Sequence, residues 1–532
     1  MITVINHNKT TNKHMIMKTK YLYKTIFALV LTVLVNSCGY NEDLVEELDF
    51  KREFAPVGLK ATVRNQTYVE LDWTIEEEVS DYIVEFSADD PDFNTIFLSQ
   101  EVNSSELPVT IRLEGETVYS IRVQALSSRD LDDSKWAFGE ATTLSEQIME
   151  PYQPGDAQAT SATLRWEPGS NVTTLNFNDG AVIHNITADE KAAGVATVTG
   201  LTSETEYSVI LFNNTKNRGQ ATITTTIAVG NNTLLSPTDD IVSAINNAMP
   251  GDIILFNEGD YTAQSAEVDL TKSITLRGLH PDFKPQLKLA FSVLAGATDV
   301  SLIDLVLMGE GNGQTINQDV VRYNEADNYN SLTITGCVIS DYNKSFIAGS
   351  TTDAIIQSVV VDNCIVTDIW TNGGDFIDFR NSNVFNISVT NTTFNNCAPE
   401  REFFRIDDAG SQTQNGKNCN IILKNCTLNA CSNKSSERLM YVRFQTNTIT
   451  SQYNLITNTE CRGYSDQSRT DQNPTFGGNN YYNADGFYDV NERVHDTSGF
   501  TENPGFVDPL NGDFTVTNQL IIDNNIGDPR WL

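Results

Sequence analysis

Arginine recurs in the second half of this 532-residue chain, several times within or beside a short apolar run. Counted from the first apolar residue of its run, Arg322 and Arg405 come two positions later and Arg380 comes four positions later. These offsets differ by an even number, so in extended strands the three guanidinium groups would share one face. The runs are residues 320–323, 376–380, 403–407 and 440–444, and residues 346–349 interrupt the series.

Such a row can bind carboxylates, because a guanidinium holds a carboxylate with two parallel hydrogen bonds and a neighbouring aromatic ring can stack on a sugar. The pattern therefore favours a groove for uronic-acid sugars, with Arg322, Arg380, Arg405, Arg443, Tyr323 and Phe379 as its candidate residues. A structural ion ladder is the alternative, because stacked like charges need partners. Acids are plentiful nearby at Asp375, Asp378, Glu402, Asp407, Asp408 and Glu437.

A second series of strands alternates with the arginine runs and repeats in sequence. Cys337 and Cys364 are 27 residues apart, Thr392 follows after 28 residues, and Cys426 after 34. A recurring two-strand unit of this length predicts a solenoid, in which equivalent residues stack about 4.8 Å apart. The small cysteine or threonine is expected to point inwards, as a buried free thiol rather than a disulfide. The residues just before them, Gly336, Asn363, Asn391 and Asn425, suit a left-handed bend.

Both ends of the repeat region resemble a known fold. Residues 238–240 can cap an amphipathic helix over residues 241–248, which would cover the open end of the stack. With the Pro-Gly-Asp and the apolar strand that follow, this order resembles the first coil of pectin-lyase-like β-helices. Residues 503–514 resemble a closing segment of bacterial β-helix proteins. Residues 235–532 as a whole are similar to Bacteroidota lipoproteins that carry the domains of unknown function 4957 and 5123, which implies a right-handed parallel β-helix.

The sequence identifies no catalytic set within this region. Asp407 and Asp408 form an acidic pair, but no histidine lies between His280 and His495, as a polygalacturonase-like site would require. The Arg-x-Pro-x-x-Arg motif of pectate lyases is also absent, and Lys344 alone does not supply a lyase base. No metal site and no cofactor is predicted, although the many acids are compatible with calcium. The catalytic residues are therefore unknown, and binding ranks above catalysis.

Two stretches before the repeat region alternate apolar and polar residues with the period of a strand. An early tryptophan and a late tyrosine after a turn pin the core of each, as Trp73 and Tyr119 do in the first copy. Residues 54–145 and 146–228 therefore resemble fibronectin type III domains, so the chain as a whole is expected to be all-β. A spacer role is expected of them, because fold alone assigns no chemistry.

The N-terminus resembles a lipoprotein export signal. A lysine-rich start and a short apolar run end at Cys38, which is the expected lipidation site, and translation could begin at Met1 or Met17. Residues 1–38 are predicted to be the signal peptide, and the acidic residues 39–53 a tether. The expected location is the outer membrane at the cell surface, with contact to the membrane through the lipid anchor.

A formal charge of −35 excludes nucleic acid as a partner, because a duplex demands a basic face. The sequence therefore predicts a surface lipoprotein that binds a polysaccharide containing uronic acids, with an outer-membrane glycan transporter as a candidate partner. A polysaccharide lyase of the pectin-lyase fold is the first alternative, and an adhesin or structural surface protein is the second. A lyase would release a product that absorbs in the ultraviolet, whereas a binder would retain the polysaccharide unchanged.

Overall fold

The computed structural model describes residues 51–74, 79–311, 319–410 and 416–532. The predicted signal peptide, Cys38 and residues 39–50 of the tether lie outside this range. Within it, no helix is long and apolar enough to cross a membrane. The chain divides into two compact units, Met1–Glu146 and Gln147–Leu532, and each is described by itself.

The first unit contains a sandwich of two antiparallel sheets, with strand orders β1-β2-β5 and β4-β3-β6-β7. Its strands alternate buried and exposed residues, so their apolar faces meet between the sheets. The bounds are β1 (Val57–Arg64), β2 (Tyr68–Thr74), β3 (Asp81–Ala88), β4 (Leu98–Asn103), β5 (Val109–Arg112), β6 (Val118–Leu126) and β7 (Ala137–Thr142).

The second unit begins with a smaller sandwich, whose sheets have the orders β10-β9-β12-β13 and β8-β11. Trp166 lies at the centre of its core. The bounds are β8 (Ser161–Arg165), β9 (Thr174–Phe177), β10 (Val182–Asn185), α1 (Ala188–Ala193), β11 (Val195–Thr199), β12 (Glu206–Asn213) and β13 (Lys216–Thr224).

A tyrosine pins the corner of each sandwich, as predicted. The Tyr119 hydroxyl accepts the backbone N–H of Glu114 at 3.1 Å, and the Tyr207 hydroxyl accepts that of Thr202 at 2.9 Å. With the strand orders, these bonds confirm two domains of fibronectin type III type.

Residues beyond 232 wind into a parallel β-helix, which confirms the predicted all-β fold class. Three sheets run along it. The long sheet has the order β14-β15-β17-β20-β23-β26-β30-β33-β36-β38, with β29 beside β26; the arginine sheet is β16-β19-β22-β25-β28-β32-β35; and the third sheet is β18-β21-β24-β27-β31-β34-β37-β39. The bounds are β14 (Thr233–Leu235), α2 (Ile241–Asn247), β15 (Ile253–Phe256), β16 (Ala266–Leu270), β17 (Ile274–Gly278), β18 (Gln286–Leu287), β19 (Leu289–Val293), β20 (Asp299–Ile303), β21 (Val306–Met308), β22 (Val321–Tyr323), β23 (Asp327–Thr335), β24 (Val338–Ser340), β25 (Ile347–Gly349), β26 (Ala354–Asp362), β27 (Ile365–Thr367), β28 (Ile377–Phe379), β29 (Asn383–Val384), β30 (Asn386–Thr390), β31 (Thr393–Asn395), β32 (Phe404–Ile406), β33 (Asn418–Lys424), β34 (Thr427–Asn429), β35 (Met440–Val442), β36 (Thr446–Gln452), β37 (Leu455–Thr457), β38 (Thr475–Gly477), β39 (Asn480–Tyr482) and α3 (Gln519–Asp523).

The predicted capping helix is confirmed as α2. The Asp240 side chain accepts the backbone N–H of Ser243 at 2.9 Å, so it caps the first turn. Ile241 and Ile245 are buried and belong to the same core as the coils. The helix therefore packs its apolar face against the start of the stack.

A row of small polar or thiol side chains marks the bend between the long sheet and the third sheet. We name this row the corner ladder: Cys337, Cys364, Thr392, Cys426, Asn454 and Asn479, each directly before a paired strand of the third sheet. The residues before them take positive φ angles, such as 52° at Asn363 and 48° at Asn391, which confirms the predicted left-handed bend. The seven cysteines from Cys337 to Cys461 are buried and free, also as predicted.

The C-terminal residues lie across this bend from the outside. The Asp528 carboxylate accepts the Thr393 hydroxyl at 2.8 Å, and the Trp531 indole donates to the same hydroxyl at 2.7 Å. Arg530 donates to the carbonyl oxygens of Asn363 and Cys364, one coil earlier. These bonds connect successive coils, so the segment stabilises the stack.

The second sandwich contacts the first coils of the β-helix directly. Asp282 accepts the Tyr152 hydroxyl and the Gly155 backbone N–H, the latter at 3.0 Å. Arg277 pairs with Glu204 at 2.6 Å. The second sandwich is therefore docked on the β-helix, beyond the simple spacer role that the sequence predicted.

Candidate functional site

The register of the arginine sheet sorts its outward side chains into rows that run along the stack. The pairings Arg322 with Ala348, Ala348 with Asp378, Asp378 with Arg405 and Arg405 with Tyr441 define the middle row directly. Relative to the middle row, the residues of the first row come three positions earlier in each coil, and the residues of the last row come two positions later. We name the three rows together the arginine face: Asp319, Ser345, Asp375, Glu402 and Arg438; Arg322, Ala348, Asp378, Arg405 and Tyr441; and Asn324, Ser350, Arg380, Asp407 and Arg443.

Two of the candidate arginines bind carboxylates of their own coil. Arg322 holds Asp319 with two bonds, Nε to Oδ2 at 2.5 Å and Nη2 to Oδ1 at 2.8 Å. Arg380 donates from Nε to Asp378 Oδ1 at 2.9 Å and from Nη2 to Asp375. Burial lowers the pKa of Arg380, but the hydrogen bond and the charges of Asp378 and Asp375 outweigh burial and raise it overall. Both arginines therefore stay charged.

The other two candidates meet at Asp407. Arg443 reaches back one coil to hold this carboxylate with two bonds, from Nε at 2.9 Å and from Nη2 at 2.7 Å. Arg405 donates to the Oδ2 atom of the same carboxylate from Nε and Nη2, both at 3.2 Å. Asp407 itself is 1% exposed. One buried carboxylate thus fixes two guanidinium groups from adjacent coils.

Tyr441 is the aromatic ring on this face. The guanidinium carbon of Arg405 lies 4.0 Å from the ring centroid, and those of Arg438 and Arg443 lie at 5.0 and 5.2 Å. Such contacts favour a cation over the face of a phenol ring. Arg438 also pairs with Glu402 at 3.0 Å, so its position is fixed from two sides.

Tyr323 and Phe379 were predicted as a stacking platform, and this prediction is wrong. They are 1% and 0% exposed and belong to the interior core, with their ring centroids 6.3 Å apart. Successive residues of a strand point to opposite faces, so a strand that turns Arg322 outwards turns its neighbour Tyr323 inwards. The same alternation buries Phe379 between Asp378 and Arg380. Applying it would also have indicated Tyr441, which aligns with Arg405 and which the sequence reasoning missed.

The four candidate arginines all lie on the predicted sheet, and each pairs with at least one carboxylate. The ion-ladder hypothesis therefore describes their contacts within the chain, and ligand contact stays a prediction. The four arginines differ in how far their side chains are exposed. The side chains of Arg380 and Arg443 are 33% and 34% exposed, whereas Arg322 and Arg405 are 22% and 17% exposed. The first two are thus better placed to meet a ligand.

Metal binding finds no support in the part of the chain that the structure describes. No group of three or more histidine, cysteine, aspartate or glutamate side chains there could hold an ion. The acids of the arginine face instead bind guanidinium groups. The arrangement can offer hydrogen-bond donors from arginine, a phenol ring and fixed carboxylates, which suits recognition of a polar ligand.

Two family models match the β-helix. Residues 259–397 match the domain of unknown function DUF4957, and residues 421–531 match the domain of unknown function DUF5123. Neither description gives a biochemical role. A search of curated proteins found no match.

Solved structures with similar regions contain fibronectin type III arrays. A two-domain segment of chicken tenascin is 16% identical with a TM-score of 0.22, covering 32% of this chain and 97% of that one. The central array of RIM-binding protein is 16% identical with a TM-score of 0.13, and chicken CNTN1 domains are 14% identical with a TM-score of 0.14. Each covers 32% of this chain, and 60% and 64% of the respective structures. The sandwich assignment therefore rests on the strand orders and tyrosine corners described above.

Proposed function

We propose that this protein binds a polysaccharide containing uronic acids through the arginine face. The observation that carries the proposal is a difference in burial. The guanidinium groups of Arg380 and Arg443 are about one third exposed, whereas Asp375, Asp378 and Asp407, which hold them, are 1%, 7% and 1% exposed.

Buried anchors of this kind fix the donors before a ligand arrives. A guanidinium carries five N–H groups, and the carboxylates below engage only some of them. The side chains have already lost their rotamer freedom, so a ligand carboxylate or hydroxyl pays less entropy to bind. Tyr441 lies beside these donors and offers apolar surface to a sugar ring.

Net charge limits how such binding can occur. The chain carries a formal charge of −35, so a polyanion is not attracted from a distance. Within the face, five arginines balance five acids, namely Asp319, Asp375, Asp378, Glu402 and Asp407. Recognition therefore depends on short-range bonds to fixed guanidinium groups, and we propose individual uronates within a longer glycan as the ligand.

The proposed cellular setting follows the N-terminal pattern. Lipidation at Cys38 would anchor the protein to the outer membrane. A glycan transporter in the same membrane is the proposed partner, because a bound polysaccharide needs a route inwards.

A panel of immobilised plant and host polysaccharides tests the proposal. The wild-type protein should be retained by uronate-containing members without releasing a product that absorbs in the ultraviolet. Arg380→Gln and Arg443→Gln should each weaken binding about tenfold, because each removes a charge-assisted bond.

Arg64→Gln is the matched control, since Arg64 is also exposed and paired, with Glu70 at 3.0 Å, but belongs to the first sandwich. It should bind like the wild type. The proposal would be contradicted if all three variants were retained as strongly as the wild type, or if no polysaccharide retained the wild-type protein. An ultraviolet-absorbing product would identify a lyase instead of a binder.

A further inference from the structure

Two acids lie next to each other in the first row of the arginine face. Asp375 and Glu402 occupy adjacent coils at aligned positions and are 1% and 6% exposed. The Glu402 backbone N–H donates to Asp375 Oδ1 at 3.3 Å, which connects the two coils at this pair. Two buried carboxyls at aligned positions of adjacent coils cannot both ionise without a large cost, so one of them holds a proton more readily than an isolated acid.

The pair is connected to the exposed arginines. Asp375 binds Arg380 directly, and Glu402 binds Arg438, which also contacts Tyr441. Beside Asp375 in the same row, the Ser345 hydroxyl is fully buried and has no hydrogen-bond partner. The charged and titratable groups that face the pair are Asp378, Arg380, Arg405, Glu437 and Arg438.

The direction of titration agrees with this geometry. Burial raises the pKa of Asp375 above its ordinary value, although Arg380 opposes the rise. Burial and the charge of Asp375 raise the pKa of Glu402, and burial also raises the pKa of Glu437 next to it. Arg380 opposes the rise at Asp375, whereas burial and the charge of Asp375 both act to raise the pKa of Glu402, so Glu402 is the member that keeps the proton.

We propose that the Asp375–Glu402 pair is a proton switch that sets the affinity of the arginine face for an acidic glycan. This inference rests on the proposed function. When the pair takes up a proton, the buried layer loses one negative charge while Arg380 and Arg438 keep theirs. The face then becomes more positive by one charge, and a uronate, which stays ionised, binds more tightly. When the proton leaves, the second carboxylate draws the guanidinium groups inwards and repels the ligand.

Calorimetry with a galacturonate hexamer measures this effect. Between about pH 5.5 and about pH 8 the wild-type affinity should fall by a few-fold to about tenfold, the effect of one charge several ångströms away in a partly screened site. Glu402→Gln keeps the side-chain shape but cannot titrate, so its affinity should be independent of pH. Glu400→Gln is the control: Glu400 lies two positions earlier, is 77% exposed and pairs with Lys434, and its variant should follow the wild type.

Infrared difference spectra can detect the protonated carboxyl in the absence of a ligand. The wild type should show the C=O stretch of a protonated carboxyl near neutral pH, and Glu402→Gln should lack it. Wild-type affinity that does not change with pH, or absence of the infrared band, would overturn the switch while leaving glycan binding intact. Absence of binding at every pH would overturn the proposed function, and the switch with it.

Discussion

The β-helix carries two polar regions, the corner ladder and the arginine face. In both, polar side chains stack from coil to coil, but the two regions accommodate this stacking differently. In the corner ladder, neutral residues of similar size repeat from coil to coil, and their side chains bond to the backbone of the neighbouring coil. The backbone N–H of Cys364 donates to the Thr392 hydroxyl oxygen at 3.2 Å, and the backbone N–H of Cys426 donates to the Asn454 side-chain oxygen at 3.0 Å. In the arginine face, each position carries a different residue from coil to coil.

Electrostatics explains the difference. Equivalent residues lie about 4.8 Å apart along the stack, where neutral side chains can repeat but like charges repel. Alternating sign relieves this repulsion, as in Asp378 and Arg405 of the middle row and in Arg380, Asp407 and Arg443 of the last row. The first row departs from alternation at Asp375 and Glu402, where a bound proton would remove one of the two charges. The corner ladder therefore repeats similar neutral residues, whereas the middle and last rows of the arginine face alternate charges of opposite sign.

The largest expected loss of stability comes from removing the Asp407 carboxylate, which two arginines of the arginine face share. Asp407→Asn should lower the free energy of unfolding by about 3 kcal/mol, because Arg405 and Arg443 lose the buried carboxylate that both bind. Denaturant unfolding of the wild type and the variant measures it. Asp466→Asn removes a carboxylate that is 25% exposed and should cost less than about 1 kcal/mol. Equal losses from the two would mean that the charged row does not depend on its buried anchor.

A neutral position should cost less, but still measurably. Asn454 is fully buried; its oxygen accepts the Cys426 N–H and its amide donates to the Leu423 carbonyl at 2.9 Å. Asn454→Ala leaves both groups without a partner and should lower the free energy of unfolding by about 2 kcal/mol.

Asn386→Ala serves as the comparison for Asn454→Ala, since the exposed Asn386 amide donates to Gln357 and water can replace it. Its loss should be below about 1 kcal/mol. If the two variants lost the same free energy of unfolding, Asn454 in the corner ladder would stabilise the fold no more than a surface hydrogen bond does.

Sequence reasoning succeeded where the molecule repeats. The spacing of Cys337, Cys364 and Cys426 predicted the coils, the inward thiols and the left-handed bends, because each coil faces the same steric constraint there. The same reasoning placed the arginines on one sheet but assigned them to a single row. Their actual rows depend on the register between coils of unequal length, and the same register aligns Tyr441 with Arg405.

The proton shared in the first row should also appear in stability. A carboxyl whose pKa is raised in the folded state stabilises the fold at low pH, and this contribution is lost as pH rises through the raised value. The wild type should therefore lose about 1 kcal/mol more than Glu402→Gln between about pH 5 and about pH 8. Unfolding at several pH values measures the difference, with Glu400→Gln expected to follow the wild type. Parallel curves for all three proteins would argue against a shared proton.

The smallest effect should come from making the neutral ladder more repetitive. Thr392→Cys places a third thiol between Cys364 and Cys426, which both donate to the carbonyl two residues earlier at 3.2 Å, as the Thr392 hydroxyl does at 2.7 Å. A thiol of similar volume keeps this bond and loses only the acceptor for Cys364, so the cost should stay below about 1 kcal/mol. A loss above about 2 kcal/mol would show that the neutral row, like the charged one, needs a specific residue on each coil.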